Sequence, residues 1–369
     1  MKTQTTLAQL QTLIATYVDR NKIANTTFEA TKNNIVGLVD KIGKIVTLDT
    51  SFFDKLTEMN GEDLPLGKTI EEYYMDLVKP YEFAREDSNE DTLKFYSPSH
   101  RPVAYSYSLG KKTFPISIPN DDIERAVNNI AEYEVIVGQI TKRLNDSVAI
   151  WKYGVKRELL GKIIDMVEEA QTSGEDVTGA QAYDEGNLYA SEGKSYIAVA
   201  TTTDELTIAQ AVDSGILVEL KMKKVLPIPT DTETGENFIQ ACLEAVEVAS
   251  DVSEGYSLNG NTIGAEMGLR LYVKQGVMPS VQVKTIAGAF HKDELVIPAK
   301  LKVIKDFGKT TSSNCYAVLM DSRGARLHEG YNAVREQFNG AGDFLTLFHH
   351  LECTAFASRN TFLTIFVAE

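Results

Sequence analysis

The sequence predicts an α+β fold, and three observations lead there. An apolar period of two residues in the stretch before residue 119 switches at Asn120 to a period of 3.6. Strand and helix patterns then alternate between residues 196 and 320. Two strongly apolar strands follow at Phe344–Phe356 and Thr361–Val367. With 369 residues, 43% of them hydrophobic, the chain can bury one large core or two ordinary ones. That composition excludes a disordered tail, a disulfide miniprotein and a collagen-like fibre.

The amide- and threonine-rich leader up to residue 49 carries two short amphipathic patterns, Leu7, Leu10, Ile14, Tyr17 and then Ile35, Leu38, Val39, Ile42. It reads as an arm with short helices, too small for a core of its own. Pro65, Pro80, Pro98, Pro102, Pro115 and Pro119 crowd the next segment. There Val103, Tyr105, Tyr107, Leu109 and then Phe114, Ile116, Ile118 alternate on either side of Gly110-Lys111-Lys112, which predicts two antiparallel strands joined by a turn. An acidic tip is expected at 85–91 (REDSNED), and the apolar positions of this hairpin find partners on another element or another chain.

Asp121 followed by Glu124 supplies a helix start resembling a capping box. From Ile123 through Val127, Ile130, Val137, Ile140, Leu144, Val148, Trp151, Val155, Leu159 and Ile163 to Val167, apolar residues recur every three, four or seven positions. The pattern predicts a helix on the order of 70 Å long, bent or interrupted at Gly138, Gly154 or Gly161. Its heptads are not strict, so a spine lying across a sheet fits better than a coiled coil. After a polar loop at 172–185 the expected elements are a strand at 196–201, a helix at 238–248, and strands at 269–273, 281–285, 295–304 and 316–320. Leu363, Ile365 and Val367 on one face with Phe362 and Phe366 on the other predict a strand buried on both sides.

Chemistry finds little support. Glu192-Gly193-Lys194-Ser195 lacks the earlier glycine of a phosphate loop, Leu188 standing there, and it precedes a strand instead of following one. His349 and His350 are neighbours on a predicted strand and point to opposite faces, so they do not share a metal. No GxGxxG or GxSxG pattern occurs, and no catalytic, cofactor-binding or metal residue is assigned. Cys242, Cys315 and Cys353 are odd in number and far apart, which argues for buried thiols. No apolar run reaches the roughly 20 residues that cross a bilayer, and residues 1–20 are too polar for a secretory signal, so a soluble, unexported protein is expected.

The balance of 52 acidic against 37 basic residues, net charge -15, argues against whole-surface wrapping of nucleic acid. Lys142, Arg143, Lys152, Lys156, Arg157 and Lys162 nevertheless fall along the long helix. Lys152, Lys156, Arg157 and Lys162 are the candidates for a ridge facing DNA, against the plainer reading of a solvated helix face. Lys221, Lys223 and Lys224 flank Met222 before Pro227 and read as the edge of a sheet.

Polar arm, extended hairpin, spine helix, α/β subdomain and return through two buried strands is an order that resembles the major capsid proteins of tailed bacteriophages with the Hong Kong 97 fold. The most specific local match is Cys315-Tyr316-Ala317-Val318-Leu319-Met320-Asp321-Ser322-Arg323-Gly324, then Phe344 to Glu352, then Ala355 to Phe362. Gly268 to Lys274 and Ile286 to Phe290 also read like capsid proteins of small podovirus-type phages.

The resemblance implies an N-arm at 1–49, an E-loop with flanking strands at 50–119, a peripheral domain with the spine helix at 120–190, an axial domain at 191–325, and a return of the peripheral domain at 326–369. It implies a non-enzymatic shell subunit, without cofactor, that assembles with itself through hexamers and pentamers into an icosahedral head around double-stranded DNA. Portal and scaffolding proteins are the further partners, the packaged DNA is held weakly, no membrane is involved, and assembly takes place in the host cytoplasm. The short arm leaves scaffolding to a separate protein or to a removed segment. No Lys–Asn crosslink is assigned to Lys68, Lys79, Lys94, Lys111, Lys112 or Asn360. Two alternatives stay open on sequence alone: an encapsulin-type nanocompartment shell, and a soluble α/β enzyme with a substrate loop at 65–119.

Overall fold

Helix α1 runs without interruption from Ile130 to Thr172, 43 residues or about 65 Å. The computed structural model describes residues 51–65, 70–75, 100–104, 106–119, 130–265, 268–277 and 299–368. The expected arm at 1–49, acidic tip at 85–91, helix start at 121–124 and strand at 281–285 lie outside these residues. Glycine costs a helix roughly 1 kcal/mol against alanine, yet neither Gly154 nor Gly161 breaks α1. The buried row Leu159, Leu160, Ile163, Ile164 and Val167 offsets that cost. At Gly161 a side chain is excluded, since a Cβ would stand 2.3 Å from the carbonyl oxygen of Phe307.

The described chain divides into two compact units. The first takes Met1–Lys68, Ser108–Lys156 and Leu327–Ala355. Its sheet has three strands in the order Ala325–Asn339, Phe344–Ala357, Ser106–Pro119. Gly110 therefore does not reverse the chain. Its φ of +67° is absorbed within one continuous strand, which pairs with Phe344–Ala357 instead of folding back on itself. Ser117 and Thr346 share a hydroxyl hydrogen bond of 2.9 Å across that pairing, as do Thr113 and His350. The Ala325–Asn339 strand is absent from the sequence reading because it is an outer strand whose last third, Arg335 to Asn339, is exposed on both faces. No alternation of polarity is imposed on it. Residues 60–64 run beside it, with Gly61 N donating to Leu327 O and Leu64 N to Glu329 O, both at 2.9 Å.

The second unit takes Thr69–Tyr107, Arg157–Arg326 and Phe356–Glu369. Glu71–Met75 and His100–Ala104 pair as an antiparallel ribbon. A small four-stranded sheet, in the order Glu175–Asp176, Leu188–Ser191, Lys194–Ala198, Leu217–Glu219, is covered by the short helix α2, Ile208–Asp213. Tyr183 and Tyr189 meet edge to face at 4.9 Å in its core with Tyr196, Ala211 and Leu217. Helix α3, Thr232–Ser250, opens with a capping box in which Asp231 accepts from the Thr234 N–H at 2.8 Å.

The main sheet has five strands in the order Lys223–Val225, Leu363–Val367, Cys315–Asp321, Leu269–Lys274, Lys300–Ile304. Phe238 of α3 packs its ring against Phe366 at 5.2 Å and Tyr316 at 5.5 Å, and Phe362 stacks on Tyr256 at 4.9 Å. Lys223–Val225 is an outer strand, as the alternating lysines suggested.

Candidate functional site

The basic residues of α1 come first because they were the candidates for contact with a ligand. Positions 144, 148, 152, 156, 160 and 164 follow one another at intervals of four and form a row on one side of the helix. Leu144, Val148, Leu160 and Ile164 are buried, and the lysines between them are drawn inward with them.

Lys156 has no exposed surface. Its ammonium donates to the carboxylate of Asp54, to Leu56 O at 2.9 Å and to Asn60 Oδ1 at 2.6 Å, so all three protons are used. Lys152 lies half-covered and reaches Glu329 Oε1 at 2.5 Å. Arg157, a hundred degrees round the helix from Lys156, donates to Asp306 Oδ1 at 2.6 Å. Of the four ridge candidates Lys162 is the open one, with 72% of its side chain exposed, 3.6 Å from Asp165.

The expected continuous ridge of Lys152, Lys156, Arg157 and Lys162 is therefore not what these side chains make. Lys152 and Lys156 share the buried row while Arg157 and Lys162 leave it, and the first three are tied to carboxylates. The signal was present in the sequence: Lys156 sits four residues before Leu160 and eight after Val148, on the apolar row itself.

A polar chain continues from Lys152. Glu329 accepts from Asn332 Nδ2 at 3.2 Å through its other oxygen, and Asn332 Oδ1 is 2.8 Å from His349 Nε2. Because that oxygen can only accept, Nε2 carries the hydrogen and Nδ1 does not. His349 Nδ1 is buried without a partner. Burial, and then the positive charge of Lys152, hold the His349 pKa below its ordinary value. His350 points to the other side, to Thr113, so the pair does not converge on a metal. Among the described residues no cluster of His, Cys, Asp and Glu could hold one.

The remaining candidates for chemistry resolve into structure. Glu192 and Gly193 take positive φ values of 52° and 77° in the turn between two strands, so the Gly-Lys-Ser sequence closes a hairpin and cradles no phosphate. All three thiols are buried, and burial pushes each of them up to about 12, far from the thiolate a nucleophile needs. Asp321 and Arg323, in the stretch that carried the resemblance, close a turn. The Asp321 carboxylate is buried, accepts from Arg323 N at 2.8 Å and is clasped by the Arg323 guanidinium at 2.6 Å. Phe362, Leu363, Ile365, Phe366 and Val367 are all buried, and their strand lies between Lys223–Val225, parallel to it, and Cys315–Asp321, antiparallel to it. Ser358, just before them, donates to Glu72 Oε1 at 2.6 Å. No helix among the described residues is long and apolar enough to cross a membrane.

What these residues make is framework, and comparison with known proteins agrees. A family model described as Phi29-like phage major capsid protein matches residues 3–362. The major capsid protein of Bacillus phage PZA is 24% identical over 119 residues, 32% of this chain and 26% of that protein. That of Bacillus phage B103 is 22% identical over 131 residues, 36% of this chain and 28% of that protein. These alignments span about a quarter of the length of the curated relatives. Among solved structures, a chain in the capsid of Staphylococcus phage Andhra superposes with a TM-score of 0.60 at 11% identity, covering 89% of this chain and 87% of that one. A chain of the mature capsid of bacteriophage PhiM1 gives 0.52 at 10% identity, covering 89% and 90%. At these identities the structural likeness speaks for the fold, which is that of phage capsid proteins.

Proposed function

Because the chain belongs to the Phi29-like phage major capsid protein family, we propose that many copies of it assemble into the icosahedral head of a phage and enclose double-stranded DNA. The observation that carries this reading is the family match across residues 3–362, nearly the whole sequence. The side chains support it: among the described residues, Lys156, Asp321, His349 and the three cysteines are taken up in buried pairs, turns and core. A structural role also suits a chain with strands of 14 and 15 residues and a helix of 43.

In this reading residues 1–49 are an arm and 50–119 an extended loop with its flanking strands. Residues 120–190 and 326–369 build a peripheral domain around α1, and 191–325 an axial domain. Hexamers and pentamers of the chain close the shell, a separate scaffolding protein guides them, and a portal occupies one vertex. The net charge of -15 keeps the wall from gripping DNA strongly. With Lys152, Lys156 and Arg157 engaged by carboxylates, the exposed Arg143 and Lys162 are the basic residues of α1 open to touch it.

The test is expression of the chain with and without its phage's scaffolding protein, followed by electron microscopy, and nuclease protection on particles from infected cells. Closed shells of uniform size that protect double-stranded DNA are the expected result. A protein that stays monomeric or dimeric under all these conditions overturns the reading.

A further inference from the structure

Among the described residues the five-stranded sheet of the second unit ends in two outer strands, both bearing lysines, and at one of them carboxylates answer the lysines. At one end lies Lys300–Ile304, paired in parallel with Leu269–Lys274. This strand and its exit carry Lys300, Lys302, Lys305 and Lys309, and the only carboxylate among residues 299–309, Asp306, is already engaged by Arg157. Lys300, Lys305 and Lys309 are exposed, and so is Leu301 between them.

The other end is Lys223–Val225, and α3 is fastened there. Lys224 donates to Ala241 O at 3.2 Å and stands 3.5 Å from Glu244. Helix α3 contains no lysine or arginine, and its solvent side shows Glu233, Glu236, Glu244 and Glu247, continued by Asp251 and Glu254. Positions 236, 240, 244, 247 and 251 share one stripe. Val248 and Val252 are exposed beside it.

Each end thus has an exposed apolar spot within a charged surround, and the two surrounds have opposite sign. That is how specific interfaces are built, with an apolar centre inside a complementary rim.

We propose that copies of this chain join head to tail through these two ends, the lysine-bearing strand of one copy against the carboxylate face of α3 in the next. The occupant of each surface is therefore a second copy of the same chain. The surfaces are different, so the contact is heterologous. Every copy added leaves one free end of each sign, and the series stops only when it closes into a ring. Like-charged ends repel, which excludes the two-fold pairings strand to strand and helix to helix. The inference rests on the reading of the chain as a shell subunit and deepens it by naming the contact.

Charge reversal in the full-length chain tests it. Lys300→Glu with Lys305→Glu cancels the positive excess of the strand surface, and Glu236→Lys with Glu247→Lys sets two lysines among the carboxylates of the α3 face. All four positions are exposed, so cooperative melts close to that of the wild type are expected from each variant. Each pair alone is expected to cut the yield of rings and shells at least about tenfold, and the four changes together, which offer each new glutamate a new lysine across the contact, to recover part of it. Raising salt from about 0.1 to about 1 M is expected to slow wild-type assembly, because exposed charges act over only about 10 Å at the lower value. Undiminished assembly of either reversed pair overturns the inference. So does a folded fourfold variant that fails to recover, or wild-type assembly indifferent to salt. Wild-type protein that forms no particles at all overturns the shell reading itself, whereas wild type and reversed pairs assembling alike overturn this contact alone.

Discussion

The ammonium of Lys156, with no surface exposed to water, closes on the carboxylate of Asp54 across about a hundred residues of sequence. It fastens residues 54–60 to α1 through that carboxylate, a backbone carbonyl and an amide.

Removing one member of this pair strands the other. Lys156→Met or Asp54→Asn alone should lower stability by about 3 kcal/mol, toward the lower end for a buried pair because Asp54 keeps a little contact with solvent. Lys156→Met combined with Asp54→Leu should recover a large part of the loss, since apolar packing replaces both charges. Urea denaturation of the three variants measures the coupling. Additive losses would show that the two groups act independently.

Gly255 is the position least able to accept a side chain. Its φ is +78°, and a Cβ would stand 1.8 Å from the carbonyl oxygen of Glu219. Its own carbonyl accepts from Lys221 N at 2.7 Å, so it cannot simply move away. Gly255→Ala should cost about 3 kcal/mol or more and lower Tm by many degrees. A melt within a degree of the wild type would refute the close approach.

The strand Leu363–Val367 has neighbours on both sides, and all five of its residues are buried. Full burial of one large apolar side chain stabilises by roughly 1.5 to 3 kcal/mol, against a net stability of about 5 to 15 kcal/mol for a domain. Truncation after Asn360 should give insoluble protein, whereas trimming Met1 to Thr6 should leave it soluble. Sedimentation of the two lysates decides, and soluble, cooperatively melting truncated protein would contradict the placement.

Acid should weaken the chain in two separate windows. His349 has a folded pKa below its ordinary 6.5, so below that value the unfolded chain binds the proton more readily, and the contribution of His349 is lost as pH falls toward the folded value. Burial pushes the Asp165 carboxyl up, but hydrogen bonds from Thr310 and Thr311 outweigh it and hold the pKa below 3.8, so its contribution is lost below that pH. Tm followed from about pH 7.5 to 5 should fall for the wild type and fall less for His349→Gln, which keeps a donor for Asn332. Parallel profiles for the two proteins would remove His349 from the account.

Replacing residues 79–97 with a short Gly-Ser turn should leave a folded subunit that forms no closed shells, if 50–119 is the loop that reaches a neighbouring copy. The pairing of Glu71–Met75 with His100–Ala104 sets these limits, because the replaced stretch lies between the two strands. Melting curves establish folding and electron microscopy establishes closure. Normal shells from the deletion would take that role away.

Legibility in the sequence followed burial. Leu363–Val367 and Cys315–Asp321 are covered on both faces and announce themselves as apolar runs, and α1 announces itself through its stripe. The Ala325–Asn339 strand did not, because an outer strand with a solvated end need not alternate. Gly110 misled because glycine followed by two lysines is turn chemistry, and only the long-range pairing with Phe344–Ala357 keeps the strand straight through it. Lys156 misled in the opposite sense. Charge type suggested a surface, while its place in the row of Leu144, Val148, Leu160 and Ile164 put it inside. The two unlike ends of the main sheet required the strand order, which no local pattern contains.

The three buried thiols have a consequence for how the protein meets a change of surroundings. Reducing media and air differ chiefly in what they do to accessible thiolates. Cys242, Cys315 and Cys353 offer none, being enclosed and protonated up to about pH 12. Passage from one redox environment to the other therefore neither forges nor breaks a bond through these sulfurs, and oxidants find the folded chain's covalent connectivity unchanged.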